Sequence, residues 1–298
     1  MERVMLSLQT LIHYFRFYFG NIYLFILNLF YYRNILQAFQ RGIVHLTLGK
    51  FLLNNYHYEI KPDKAAYQKN ILIMDDFIIN ILNTLAQNAS ILSKFMLLIV
   101  GNYLLKGGVI MAVLWYLWFK ENSLNTHNRE KIILTLYSII IAIILGRGLQ
   151  NFLPYRARPI LNPEFNFPYQ LYCQDTWSSF PSDHAMIFFG LATGIFRVSK
   201  KWGLFSYTYA LVIICLPRIY LGFHYPTDVL AGAAIGIFLI WVISFLKISR
   251  RLEKKTIALS IKYPGIFYAC LFILSYQIAT LFDDSRDLVE ALYHFFFK

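Results

Sequence analysis

Apolar segments long enough to cross a lipid bilayer recur from residue 95 onward in this chain of 298 residues. A membrane-spanning helix needs about 20 predominantly apolar residues. Charged residues make up 15% of the composition, whereas soluble domains carry about 25%. Because a bilayer leaves only helices and closed barrels as ways to pair the backbone, the pattern predicts an all-α integral membrane bundle with about six transmembrane helices. The six candidate spans are 95–119, 132–149, 185–197, 202–217, 226–246 and 263–282.

The first 90 residues are less regular than the rest. Residues 4–32 are apolar and aromatic but are interrupted by polar side chains, which is typical of a poor transmembrane helix or of a helix lying in the membrane interface. Residues 71–85 carry Asp75 and Asp76 inside an apolar pattern, so they are predicted to be amphipathic rather than spanning. The sequence therefore predicts an N-terminal membrane-associated region, 1–90, and a transmembrane domain, 91–298.

The net charge of +12 does not indicate a nucleic-acid-binding protein. The basic residues cluster between the apolar segments, where membrane topology explains them, and anionic lipid headgroups are their natural counterpart. Neither the three cysteines nor the seven histidines show the spacing of a metal site. We therefore expect no metal and no other cofactor. The sequence does not indicate how many copies of the chain assemble.

The stretch 217–228, PRIYLGFHYPTD, combines an arginine, a histidine and an aspartate at a predicted helix start. Pro226 suits the first turn of a helix, since its missing N–H would have no partner there anyway. His224 then lies at the helix N-terminus, and Asp228 lies one turn further along the same face. A carboxylate in this position can hold an imidazole in one tautomer. The helix start, together with Arg218, favours a bound anion.

Two further stretches place comparable groups at the ends of predicted helices. In SFPSDHA, Ser182 is predicted to be an N-cap, which puts His184 at a second helix N-terminus. The stretch NFLPYRARP is a basic loop that contains Arg156 and Arg158. Two histidines, at least two arginines and one aspartate at helix ends indicate phosphoryl transfer through a phosphohistidine.

Small residues indicate how the two histidine-bearing helices meet. Gly190 and Gly194 form a GxxxG pattern on the first helix, and Gly232 and Gly236 form one on the second. Close backbone approach along such patterns would bring the two histidines to opposite sides of one phosphate. The alternative is ordinary packing of membrane helices, and both can hold.

The three stretches together resemble the signature of the type 2 phosphatidic acid phosphatase (PAP2) superfamily, which reads K-x6-R-P, then P-S-G-H, then S-R-x5-H-x3-D. The resemblance covers about residues 151–228, and the transmembrane pattern extends it over most of the chain. It implies a PAP2-like helical membrane fold and a hydrolase that needs no metal.

Three positions depart from that signature. Asn151 stands where the family has its first lysine, Asp183 replaces the glycine of the second motif, and Pro217 replaces the serine of the third. Arg156 and Arg147 are the candidates to replace the missing lysine. A carboxylate at position 183 would repel a phosphate unless it points away or pairs with an arginine.

The resemblance and the chemistry of the side chains together assign a role to each motif residue. His224 is expected to attack phosphorus, with Asp228 fixing its ring and stabilising its charge. His184 is expected to protonate the leaving oxygen and then to activate water. The residues expected to bind the phosphate are Arg158, Arg218, Ser182, Asn151, Arg156 and Gly222.

The distribution of basic residues predicts which side of the membrane the motifs face. The three motif stretches alternate with helices, so all of them lie on one side, with four basic residues against twelve on the other. The twelve are Lys120, Arg129, Lys131, Arg197, Lys200, Lys201, Lys247, Arg250, Arg251, Lys254, Lys255 and Lys262, and the four are Arg156, Arg158, Arg286 and Lys298. Arg147, at the membrane boundary, and Arg218, inside the motif, are left out of both counts. The positive-inside rule therefore predicts a bacterial-type cytoplasmic membrane protein whose motifs face the extracytoplasmic side.

The predicted placement of the site limits the class of substrate. A phosphate site that opens among apolar helices suits a lipid phosphate whose tail stays in the bilayer. The resemblance implies phosphatidic acid, phosphatidylglycerol phosphate or a polyprenyl diphosphate. Two alternatives stay open: a lipid phosphotransferase with the same histidine chemistry, in which an acceptor alcohol replaces water, and a non-catalytic lipid-binding or transport protein on the same scaffold.

Overall fold

Every regular element in the described part of the chain is helical. The computed structural model describes residues 64–120, 126–168 and 178–297, and Ala65–Lys298 forms one compact unit. The predicted membrane segment 4–32 lies outside the described residues, so the division at residue 90 stays a prediction.

The helices of the described ranges are numbered here in chain order. They are α1 Lys64–Asn88, α2 Ser90–Gly101, α3 Val109–Lys120, α4 His127–Phe152, α5 Asp183–Val198, α6 Lys200–Tyr220, α7 Pro226–Phe245, α8 Lys247–Lys262, α9 Pro264–Thr280 and α10 Asp283–Phe297. A π-helical segment, Leu104–Gly108, precedes α3, and a second, Ala210–Cys215, lies within α6.

Within the described ranges, three helices are long and apolar enough to cross a membrane: α4, α6 and α7. Two bent pairs, α1 with α2 and α9 with α10, raise the number to five if each pair counts as one span. The chain is therefore an integral membrane protein, but the predicted number of about six spans is not confirmed. One predicted span, 95–119, is broken, because the backbone of Asn102 is extended and ends α2 before the π-helical segment begins.

Helix α5 lies at the centre of the bundle and packs against α4, α6 and α7. Its 16 residues measure roughly 24 Å at 1.5 Å per residue, which is shorter than the ~30 Å hydrocarbon layer. The predicted close approach of α5 and α7 is confirmed, since a Cβ atom on Gly232 or Gly236 would overlap a carbonyl oxygen of α5 or its cap. Gly194 of α5 faces a different helix, because a Cβ atom there would overlap the side chain of Thr135 on α4.

Candidate active site

Two helix N-termini, those of α5 and α7, meet at one end of the bundle. Ser182 is the N-cap of α5, and its hydroxyl accepts a hydrogen bond from the Ala185 N–H at 3.4 Å. At α7 the Asp228 carboxylate accepts from the N–H of the N-cap, Tyr225, at 2.8 Å. The Ser182 N–H donates to the Asp228 carbonyl oxygen at 3.1 Å, so the two helix starts are joined directly.

This junction brings the two motif histidines together. Asp183, His184 and His224 each offer a nitrogen or a carboxylate oxygen, and these three atoms lie within 4.8 Å of one another. His224 is 2% exposed, and His184 is partly exposed. The two imidazoles are therefore neighbours in a mostly buried site.

The ring of His224 is oriented by a backbone carbonyl. Its Nδ1 lies 2.9 Å from the Ser179 carbonyl oxygen, which can only accept, so Nδ1 carries the proton and Nε2 keeps a free lone pair. The nearest oxygen of Asp228 lies 3.9 Å from Nδ1, too far for a hydrogen bond. The expected orientation of His224 by Asp228 is thus not found, because Asp228 binds Tyr225 and Arg156 instead.

Arg156 lies between two buried carboxylates. Its guanidinium contacts Asp228 at 2.5 Å and Asp75 of α1 at 2.7 Å. The backbone N–H of Thr227 also donates to Asp75 at 3.2 Å, and the Thr227 hydroxyl donates to the same carboxylate. This geometry gives no support to the expected phosphate-binding role of Arg156. It also adds Asp75 to the site. The only sequence signal for Asp75 was the presence of a carboxylate inside an apolar segment.

Asp183 pairs with His184 rather than facing the site as a free charge. One carboxylate oxygen lies 2.7 Å from Nδ1 of His184, and the other lies 3.2 Å from Nη2 of Arg147. The carboxylate therefore orients this imidazole, in the way that had been expected of Asp228 for His224. It also binds Arg147, so neither arginine proposed to replace the motif lysine is available without breaking an ion pair.

Two buried arginines lie beside His224. Arg158 donates to the Phe223 carbonyl oxygen at 3.0 Å, and Arg218 donates to the Ile214 carbonyl oxygen at 2.7 Å. Burial lowers the pKa of His224 from its ordinary 6.5 to about 3, and the positive charges of Arg158 and Arg218 act in the same direction. His224 is therefore a neutral base at physiological pH.

The three other predicted phosphate-binding residues are placed as follows. The Ser182 hydroxyl serves as a helix cap. Gly222 has a φ of +74°, and a Cβ atom there would lie 2.7 Å from the ring of Phe167, so the turn itself requires glycine. Asn151 is exposed in the last turn of α4. Their phosphate contacts stay predictions.

The cluster of Asp183, His184 and His224 has the ligand types of a metal site. However, Asp183 is already bonded to the His184 ring, and Nδ1 of His224 carries a proton toward a carbonyl oxygen. The neighbouring charges of Arg158 and Arg218 also repel a cation. The site therefore favours an anion, of which phosphate fits the two arginines.

Part of the chain is similar to known proteins. The model of the PAP2 superfamily matches residues 131–251. The chain is 33% identical over 125 residues to the bacitracin transport permease protein BcrC of Bacillus licheniformis, a match covering 39% of this chain and 58% of that protein. It is also 33% identical over 139 residues to an undecaprenyl-diphosphatase of Sulfolobus acidocaldarius, covering 45% and 63%. The chain thus spans less than two thirds of the length of either relative.

One solved structure is also similar, that of a transmembrane PAP2-type phosphatidylglycerolphosphate phosphatase from Bacillus subtilis. The identity is 22% and the TM-score 0.42, over 59% of this chain and 85% of that one.

Proposed function

We propose that this protein, whose residues 131–251 match the model of the PAP2 superfamily, is a metal-independent lipid phosphatase that works through a phosphohistidine. The observation that carries the proposal is the pair of adjacent imidazoles, one with a free Nε2 lone pair and the other bonded to a carboxylate. The buried guanidinium groups of Arg158 and Arg218 supply the positive charge for a phosphate.

In the first step, Nε2 of His224 attacks phosphorus, so that a P–N bond forms while the P–O bond to the leaving group breaks. His184 enters this step as an imidazolium, whose Nδ1–H stays bonded to Asp183 while the proton on Nε2 passes to the leaving oxygen. Arg158 and Arg218 bind the equatorial oxygens of the phosphoryl group, whose charge has to be held through a loose transition state.

In the second step, His184 acts as a base. It takes a proton from a water molecule, which attacks the phosphohistidine, breaks the P–N bond and releases phosphate. Asp183 stabilises the protonated His184 ring and holds its orientation. Asp228 has a different task in this scheme, because it caps α7 and fixes Arg156.

The proposed substrate is a membrane lipid phosphate or diphosphate, of the phosphatidic acid, phosphatidylglycerol phosphate or polyprenyl diphosphate type. The relative named undecaprenyl-diphosphatase is consistent with this class. The excess of basic residues on the opposite side of the bundle supports an active site on the extracytoplasmic face.

Purified protein in detergent, offered a panel of these lipids without added metal, tests the proposal. We expect release of free phosphate and acid-labile phosphate on the protein during turnover. Transfer of phosphate to an added alcohol in preference to water would instead identify a phosphotransferase. No release, no transfer and no labelled protein would contradict phosphoryl chemistry and leave a lipid-binding protein.

Asp183→Asn is expected to lower kcat about 10- to 100-fold, because His184 loses part of a general acid–base contribution worth roughly 10²–10⁴-fold. KM should change little, since Asp183 does not contact the phosphate in this scheme. Asp287→Asn, which alters an exposed carboxylate of α10, is the control. Steady-state kinetics measures kcat and KM separately. An unchanged kcat would show that Asp183 has no part in the mechanism.

The low pKa of His224 predicts how its ring behaves in acid. A group with a pKa of about 3 takes up a proton only near or below pH 3, so His224 should stay neutral between pH 7 and pH 5. NMR of ring-labelled histidine checks this, with the His224 signal assigned by its loss in His224→Gln. A titration midpoint near the ordinary value would contradict the prediction.

A further inference from the structure

Lys106 is a buried lysine that the scheme above does not use. It lies in the π-helical segment Leu104–Gly108 and is 6% exposed. Its Nζ lies 2.7 Å from an oxygen of Asp283 and 4.5 Å from the centre of the Tyr103 ring. Charged side chains at membrane depth are costly and mark functional sites, and π-helical segments are also frequent at such sites.

The segment that carries Lys106 packs next to the candidate active site. Leu104–Gly108 contacts Ala210–Cys215 of α6, and the Tyr209 hydroxyl donates to the Leu105 carbonyl oxygen at 2.6 Å. The Arg218 guanidinium is bonded to the Ile214 carbonyl oxygen in the same stretch of α6. The segment is held close to the end of α9, because a Cβ atom on Gly107 would overlap the backbone of Ala279. Lys106 thus lies between the start of α10, which carries Asp283, and the stretch of α6 to which the Arg218 guanidinium is bonded.

The ion pair of Lys106 differs from those of the other candidate cations. Arg156 is held by two buried carboxylates, so its release would leave both without their cation. Asp283, in contrast, is partly exposed and has a second cation partner, Arg286, one turn further along α10. Lys106 can therefore leave Asp283 without stranding a buried charge.

We propose that Lys106 is the phosphate-binding cation of this site, in place of the motif lysine that Asn151 replaces, and that it exchanges the Asp283 carboxylate for a substrate phosphate group. The inference rests on the proposed function for the identity of the substrate, but not for the binding of an anion. Lys106, Arg158 and Arg218 then surround the phosphoryl group with three cations from three different segments.

Substitutions of the two partners of the Lys106–Asp283 ion pair should change KM in opposite directions if Lys106 exchanges Asp283 for phosphate. Lys106→Met is expected to raise KM at least tenfold with a smaller effect on kcat, and Lys106→Arg should restore most of the loss. Asp283→Asn is expected to lower KM several-fold, because Lys106 no longer has a competing carboxylate. Lys120→Met, which changes an exposed lysine of α3, is the matched control and should leave KM unchanged.

Binding of inorganic phosphate gives a readout that does not need turnover. Phosphate should raise the melting temperature of the wild-type protein and of Lys120→Met, but not that of Lys106→Met. If Lys106→Met does not fold, the KM of Asp283→Asn tests the inference. A lower KM in that variant supports the inference, and a raised KM would overturn it.

Three outcomes separate this inference from the proposed function. Parallel losses of stability and activity in Lys106→Met and Asp283→Asn would show that the pair is only structural, which overturns the inference. The inference is also overturned if the wild type turns over lipid and Lys106→Met does so with the same KM and kcat. A wild type that hydrolyses none of the lipids but binds phosphate through Lys106 supports the inference and refutes the proposed function.

Discussion

Replacing His224 by alanine is expected to reduce phosphate release by at least about 10³-fold, the scale seen when a covalent nucleophile is removed. His224 is the residue whose Nε2 is left free by the hydrogen bond from Nδ1 to the Ser179 carbonyl oxygen. The variant should also take up no acid-labile phosphate from a radiolabelled substrate, whereas the wild type should be labelled within one turnover.

Two controls make this result specific. His224→Gln keeps a polar side chain of similar size, so it separates loss of the nucleophile from loss of packing in the buried site. His127→Ala changes an exposed histidine at the start of α4 and should retain full activity. Near-normal phosphate release by His224→Ala would exclude the phosphohistidine mechanism.

Replacing Arg156 by methionine is expected to destabilise the protein by roughly 3 kcal/mol, at the lower end of the ~3–5 kcal/mol cost of breaking a buried ion pair. Methionine retains much of the volume but leaves Asp228 and Asp75 without their shared cation, and their side chains are 0% and 1% exposed. The lower end is appropriate because Arg156 itself is 22% exposed. Denaturation in detergent measures the change.

A second variant shows that charge is the cause. Asp75→Asn combined with Arg156→Met removes one of the two uncompensated carboxylates, so it should recover part of the lost stability. Arg251→Met changes an exposed arginine of α8 and should have almost no effect. If Arg156→Met is as stable as Arg251→Met, the three-residue network contributes nothing measurable to folding.

The sequence predicted the helical membrane bundle and the meeting of α5 and α7, because these follow from local patterns. Helix N-caps, a proline at the first turn and glycines four residues apart are all read within a few residues of one another. The positions of His184 and His224 at two helix starts were predicted correctly for the same reason.

The partners of the ionisable groups were harder to predict. Spacing of four residues put Asp228 on the same helix face as His224, but it could not show that the Tyr225 N–H and Arg156 would bind that carboxylate. Asp75 comes from α1, far along the chain, and no pattern within the motif contains it. Sequence spacing fixes which face a side chain lies on, whereas tertiary packing decides which of several partners it binds.

The glycine contacts between α5 and α7 have a consequence for the spacing of the two histidines. Any side chain larger than that of glycine at position 232 or 236 would overlap the carbonyl oxygen of Ser182 or Met186, so it would force α7 away from α5. The distance between His184 and His224 therefore depends on both glycines, because each histidine lies at the start of one of these two helices.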